Sequence, residues 1–156
     1  PDPGPDFSVA VLFFESGMVA RLTCSIIAPH DHSLRVIGDN GALELNEVWN
    51  NTTPVKFRKR FRVRRRLVES PLARRLKLPQ PTHPKVGRTG AAAMNFALGP
   101  AEMLEAIAAG RASRLSGDFA LHLTETTLAI QEAGETGAPV RIRSDCPRID
   151  PMDWAR

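Results

Sequence analysis

The 156 residues are 42% hydrophobic and 24% charged, with 13 Pro and 11 Gly, the balance of one globular domain rather than of a disordered chain. No run approaches the ~18 uninterrupted apolar residues that a membrane helix needs, and no signal peptide is visible. The net charge of +4 hides an asymmetry: Lys56 to Lys77 holds eleven basic residues and the single acid Glu69, a local +10, and the remainder carries −6.

The chain opens Pro-Asp-Pro-Gly-Pro without an initiator Met, and it reads as a piece of a longer protein. Phe7, Val9, Val11 and Phe13 alternate with smaller residues, Glu15-Ser16-Gly17 interrupts them, and Val19 to Ala28 resumes the pattern, which predicts a hairpin. Leu34 to Ile37, Asp39-Asn40-Gly41 and Leu43 to Leu45 predict a second one. There the Asn-Gly pair is expected to form a type I′ turn, which needs positive φ at both central residues. Val55, Phe57, Phe61 and Val63 interleaved with Lys56, Arg58, Arg60 and Arg62 predict a strand with one apolar and one cationic face.

From about Ser70 to Gly90 the periodicity fails among Pro71, Pro79, Pro81, Pro84, Gly87 and Gly90; the expectation is a long surface excursion. A helix is predicted from Gly99-Pro100, with Met103, Leu104, Ile107 and Ala108 as its apolar stripe and Gly110 as its stop. A second begins near Ser116, a fitting N-cap, with Asp118 in the first turn and Phe119, Leu123, Ile130 and Ala133 at helical spacing until Gly134 and Gly137. Val140 to Arg143 reads as a last strand. The resulting class is α+β: a mainly antiparallel open sheet with two C-terminal helices packed on one face, residues 1–156 forming a single domain. The two cysteines, Cys24 and Cys146, are too far apart to point to a disulfide framework or a zinc site, so a reducing cytoplasm is the expected location.

The order of these pieces resembles the C-terminal domain of the Gfo/Idh/MocA oxidoreductases. The residues that carry the likeness are Asp6 to Val9, Phe14 to Ala20, Ser25, Leu34 to Gly38 and Gly41 to Leu45, followed by Gly99, Met103, Ala106-Ile107, Gly110-Arg111, Arg114, Ser116-Gly117, Ala120 to His122, Glu125, Ile130, Gly137, Val140 and Ser144 to Cys146. They span nearly the whole chain and are thinnest over residues 50 to 90. The resemblance implies a substrate-side and assembly domain that commonly packs against another subunit. In the complete protein a preceding Rossmann domain would bind NAD or NADP, and hydride would pass at a sugar-like or related alcohol carbon. Such a C-terminal piece alone is expected to be inactive and to bind no cofactor. It lacks a Gly-x-Gly-x-x-Gly turn and the Glu-Lys-Pro segment whose lysine that family uses in proton transfer. Asp118 and His122 have the family's Asp/His spacing, but they lie in a different helix without its Gly-rich lead-in, so no catalytic, cofactor or metal residue is assigned.

Several residues remain as substrate or interface candidates. His122, with Asp118 four positions back and Glu125 three ahead, is either a general base held by a carboxylate or a helix-face histidine paired with local acids. His30-Asp31-His32 offers two imidazoles without a third ligand nearby in sequence. A loop contact to substrate or to the missing domain, and a plain solvated turn, are the other readings. Trp49 and Trp154 suit an interface or a local lid on the core. Cys24 is expected to be a small core residue. Arg58, Arg60 and Arg62 either find counter-charges in this chain or in a partner, form a solvated edge, or track phosphates, with Arg65, Arg66, Arg74 and Arg75 extending them toward an anionic substrate or cofactor phosphate. The alternative function is therefore a non-enzymatic basic scaffold or nucleic-acid-binding module built on Lys56 to Lys77. Against it, Phe57 and Phe61 are expected to face away from the arginines, as core, and so to provide no stacking platform. The expected assembly is a homodimer through the open sheet.

Overall fold

A computed structural model describes residues 5–50, 53–77 and 96–152. Trp154 and most of the Pro-rich excursion lie outside the described residues. The element order is β1 (Phe7–Phe13), β2 (Val19–Ser25), β3 (Leu34–Gly38), β4 (Gly41–Leu45), β5 (Lys56–Val63), β6 (Arg66–Glu69), β7 (Arg74–Arg75), α1 (Leu98–Ala108) and α2 (Gly117–Thr136). Antiparallel strands with two helices make the class α+β, as the periodicities predict. The strands form two sheets, and the residues fall into two compact units: 1–30 with 116–147, and 31–115 with 148–156.

In the first unit β1 and β2 pair from Phe7↔Ser25 to Phe13↔Val19. The turn between them closes with the Gly17 N–H donating to the Phe14 carbonyl at 2.9 Å, and Gly17 adopts φ 82°, a conformation that suits Gly. At the other end the Ser25 hydroxyl accepts from the Ile27 and Ala28 N–H groups, which ends β2. Helix α2 begins on Ser116, whose Oγ accepts from the Phe119 N–H at 3.2 Å, and ends on Gly137 at φ 66°. It runs through Gly134, the earlier of the two expected stops. Its less exposed stripe is Phe119, His122, Thr126, Ala129 and Ala133, and the expected core residue Leu123 is exposed.

The strand expected over Val140 to Arg143 does not form. This segment is extended, but the Arg143 and Ser144 N–H groups donate to the Glu125 carboxylate at 2.9 and 2.8 Å, so a side chain satisfies them in place of a neighbouring strand. Cys24, expected in the core, is exposed on β2.

In the second unit the strand path is β3-β4-β5-β6, with β7 also paired to β5. The β3–β4 turn holds Asp39 and Asn40, because Gly38 pairs with Gly41. The expected Asn-Gly type I′ turn is therefore not used, and neither Asn40 nor Gly41 has positive φ. Gly41 serves another purpose: a Cβ there would lie 2.3 Å from the Arg58 carbonyl oxygen and 2.7 Å from the Phe57 ring. The aromatic ring and the β5 backbone occupy the space that any side chain would need. The strand β6 and the two-residue β7 lie where no order is expected beyond the basic strand, and both pair back onto β5.

The register sorts the sheet into two faces, since directly paired residues share a face. One carries Leu34, Val36, Leu43, Phe57, Phe61, Val63 and Val68; the other carries Arg35, Glu44, Lys56, Arg58, Arg60, Arg62 and Glu69. Gly41→Ala is expected to destabilise the protein by about 1–3 kcal/mol through overpacking against Phe57 and the Arg58 backbone. Gly38→Ala, whose Cβ would meet nothing nearer than 4.0 Å, should be close to neutral. Urea denaturation of the two variants checks the contrast.

Candidate functional site

The polar face of the second unit's sheet is its most developed side-chain constellation. Arg58, in the middle of β5, donates through Nε and Nη2 to Glu44 on β4 at 3.1 and 3.2 Å. Its Nη1 donates to the Ser70 and Pro71 carbonyls at 2.9 and 2.8 Å. One guanidinium thus joins β4, β5 and the chain leaving β6. The hydrogen bond from Arg58, reinforced by the positive charges of Arg58, Arg35 and Lys56, holds the Glu44 carboxyl below its ordinary range, while the same bond raises Arg58. Arg35 on β3 pairs with both Glu44 and Glu69, and Arg60 lies 4.0 Å from Glu69 and donates to the Gly38 carbonyl at 3.3 Å. Two of the three expected cationic candidates, Arg58 and Arg60, therefore find counter-charges within this sheet. Arg62 is exposed opposite Leu67, beyond the last carboxylate.

Phe57 is half-buried over Gly41, whereas Phe61, expected in the core, is 41% exposed. Lys59 and Arg66 share the face of Phe61 by register, so the face opposite the arginine row is not purely apolar.

His32 and Trp49 meet beside this sheet, at the start of β3 and beyond the end of β4. Their rings stack at 3.9 Å between centroids with an interplanar angle of 24°. The Val48 N–H donates to the His32 carbonyl at 2.9 Å, and the His32 Nδ1 lies 3.3 Å from the Glu47 carboxylate, which also accepts from the Trp49 N–H at 3.0 Å. His32 and Glu47 thus bring an imidazole and a carboxylate together at this edge of the unit. His30, exposed, ends the first unit.

His122 projects from α2 onto the extended segment after it, not onto Asp118. Its Nδ1 lies 3.1 Å from the Ser144 carbonyl oxygen and 3.0 Å from the Ser144 Oγ. The Ser144 hydroxyl and the two peptide N–H groups that Glu125 receives hold its carboxyl below the ordinary range. A hydrolytic triad would place Ser and carboxylate on opposite imidazole nitrogens. Here the serine lies at Nδ1 and also reaches the Glu125 carboxylate, which holds two backbone N–H groups besides, so the imidazole does not stand between serine and carboxylate. The group clamps the segment that follows α2.

Sequence reasoning passed over Glu102. It lies on α1, is 3% exposed, and accepts from Arg111 Nη1 at 2.6 Å, the Ser113 hydroxyl at 2.7 Å, and the Arg114 N–H and Nη1 at 3.2 and 3.1 Å. Arg114 in turn donates to the Asp150 and Pro151 carbonyls. These donors, Arg111 foremost, bring the Glu102 carboxyl down to about 2. The polar side of α1 is thus its buried side, and the expected core stripe of Met103, Leu104 and Ile107 is at least half exposed. The available signal was the pair Arg111 and Arg114 just past the helix stop, nine and twelve positions after a helical glutamate.

No family model, no curated protein and no solved structure matches the chain. Among the described residues, no helix is long and apolar enough to cross a membrane.

The folded-state pKa of Glu102 is below its unfolded value, so its contribution to stability is complete above pH 4.5 and is lost as pH falls from there toward 2. Glu102→Gln should therefore lower the melting temperature at pH 7, and the gap between variant and parent should close over that window. Thermal melts across the pH range measure it.

Proposed function

We propose that this chain is the C-terminal, substrate-side and oligomerisation domain of an NAD- or NADP-dependent oxidoreductase of the Gfo/Idh/MocA type, acting in the cytoplasm on a small sugar-like or related alcohol. The observation that carries this reading is the uncovered apolar row of β1. Phe7, Val9, Val11 and Phe13 are 53%, 53%, 50% and 80% exposed, while the smaller or intervening Ser8, Ala10 and Leu12 are half-buried. The second unit repeats the pattern with Leu34 at 49%, Val36 at 51%, Leu43 at 36% and Val63 at 49% exposed. Apolar rows of this kind mark surfaces meant to be covered. A domain whose role is to pack on a second copy and on a nucleotide-binding domain has such surfaces.

The described helix starts give little support for a dinucleotide site within this chain itself. The Phe119 N–H in the first turn of α2 is taken by the Ser116 hydroxyl, and Ala97 precedes α1 without a side-chain cap. Among the described residues, α2 does not open from a strand-and-glycine turn that would seat a pyrophosphate. The cofactor and the proton-transfer lysine therefore belong, in this reading, to a preceding domain. This chain would line the substrate cleft and form a homodimer through its sheet. The alternative of a nucleic-acid module loses support from the polar face, where Glu44 and Glu69 already engage Arg58 and Arg60.

The test is to express the chain joined to the roughly 150–200 residues encoded upstream of Pro1, the size of one further domain, and to titrate it with NADH and NADPH. The reading predicts that the joined protein binds one of them and that the chain alone binds neither. An upstream segment without a Gly-rich strand-turn-helix, or a joined protein that binds no dinucleotide, overturns it.

A further inference from the structure

We propose that the tip of the β5–β6 hairpin is a binding site for a compact phosphorylated ligand, held by Arg64, Arg65 and Arg66 above a floor of Val63 and Val68. This inference does not depend on the oxidoreductase reading.

Four arginines occupy five consecutive positions, from Arg62 to Arg66, and none of them has a carboxylate within ion-pair distance among the described residues. The carboxylates of this sheet's polar face, Glu44 and Glu69, are engaged further down by Arg35, Arg58 and Arg60. The tip therefore concentrates positive charge that its own sheet does not neutralise, and an anion would relieve the mutual repulsion.

The backbone gives a second, independent indication. Val63 pairs with Arg66, so Arg64 and Arg65 form a two-residue loop. Arg64 adopts φ 56° and is the one described residue other than glycine with positive φ. Two-residue hairpin loops favour Gly, Asn or Asp where φ is positive, because a Cβ there crowds the backbone carbonyl. A charged side chain is kept at a position where local geometry favours glycine, and such departures from local preference concentrate at functional sites.

The surface shape completes the argument. Val63, Arg64, Arg65, Arg66 and Val68 line an open concavity. Val63 and Arg66 are directly paired and share a face, and Val68 pairs with Phe61 two rungs away on that same face. Guanidinium groups bind phosphoryl oxygens through paired N–H donors, and the valines accept an apolar body. A nucleic-acid strand is a poorer match. Its phosphates would follow the row Lys56, Arg58, Arg60 and Arg62, and the middle two members of that row are closed by carboxylates.

The probes are inorganic pyrophosphate, inorganic phosphate, phenyl phosphate and a single-stranded oligonucleotide, titrated calorimetrically against the chain at fixed ionic strength. Pyrophosphate should bind saturably, and phenyl phosphate should bind more tightly than phosphate. Arg65→Ala and Arg66→Ala should each weaken pyrophosphate about tenfold, the loss of one charge-assisted contact. Arg62→Ala, on the opposite face, should leave binding unchanged. Arg64→Gly should melt at a higher temperature without ligand yet bind pyrophosphate more weakly, which separates lost binding from lost folding. No saturable pyrophosphate binding, equal binding by the Arg65 and Arg66 variants, or affinity only for the oligonucleotide would each overturn the proposal.

Discussion

A two-faced sheet gains most when something covers its apolar side, and both sheets of this chain present apolar rows that are exposed. Burial contributes roughly 25 cal/mol for each Å2 of apolar surface removed from water. The side chains that would contribute most are the exposed ones: Phe7, Val9, Val11 and Phe13 on β1, and Leu34, Val36, Phe61 and Val63 on the larger sheet. The buried residues among those described are small or charged, namely Gly41, Ala42, Glu102, Ala106 and Ala129. Among the described residues, the largest reserve of stabilisation therefore lies in covering these apolar rows, which is why assembly is central to the proposed function.

Polar wiring organises what burial leaves open. Arg58 binds Glu44 and two carbonyls at the end of β6, Arg35 bridges Glu44 and Glu69, and Glu102 gathers Arg111, Ser113 and Arg114. These contacts fix register and loop paths without needing a large core. They also divide the basic strand into a paired middle and an unpaired tip, two regions that a count of charges treats as one.

The alternation that marks β1, β2, β3, β4 and β5 was plain in the sequence, because a period of two survives whether or not a face is covered. Ser116 and Gly137 were equally plain, since capping is local chemistry. What escaped was set by distant partners. Asn40-Gly41 has the signature of a type I′ turn, yet Gly41 is fixed by a ring and a carbonyl on a strand seventeen or so residues away. Val140 to Arg143 alternates like a strand, but the Glu125 side chain takes the neighbouring N–H groups. Met103, Leu104 and Ile107 look like a core stripe, but the four donors that reach Glu102 turn the other side of α1 inward. His122 had acids at helical spacing and instead found Ser144, twenty-two positions on. His32 and Trp49 were both singled out as candidates, but nothing in their spacing indicated that they would stack.

The most direct measurement is sedimentation velocity of the chain over a wide concentration range, beside Val11→Glu, which places a charge in the exposed row of β1. The account predicts a reversible monomer–dimer equilibrium for the parent, and a variant that stays monomeric while its circular dichroism is unchanged. A parent that remains monomeric at every concentration, or a variant that associates as the parent does, would contradict the claim that the apolar sheet faces are assembly surfaces.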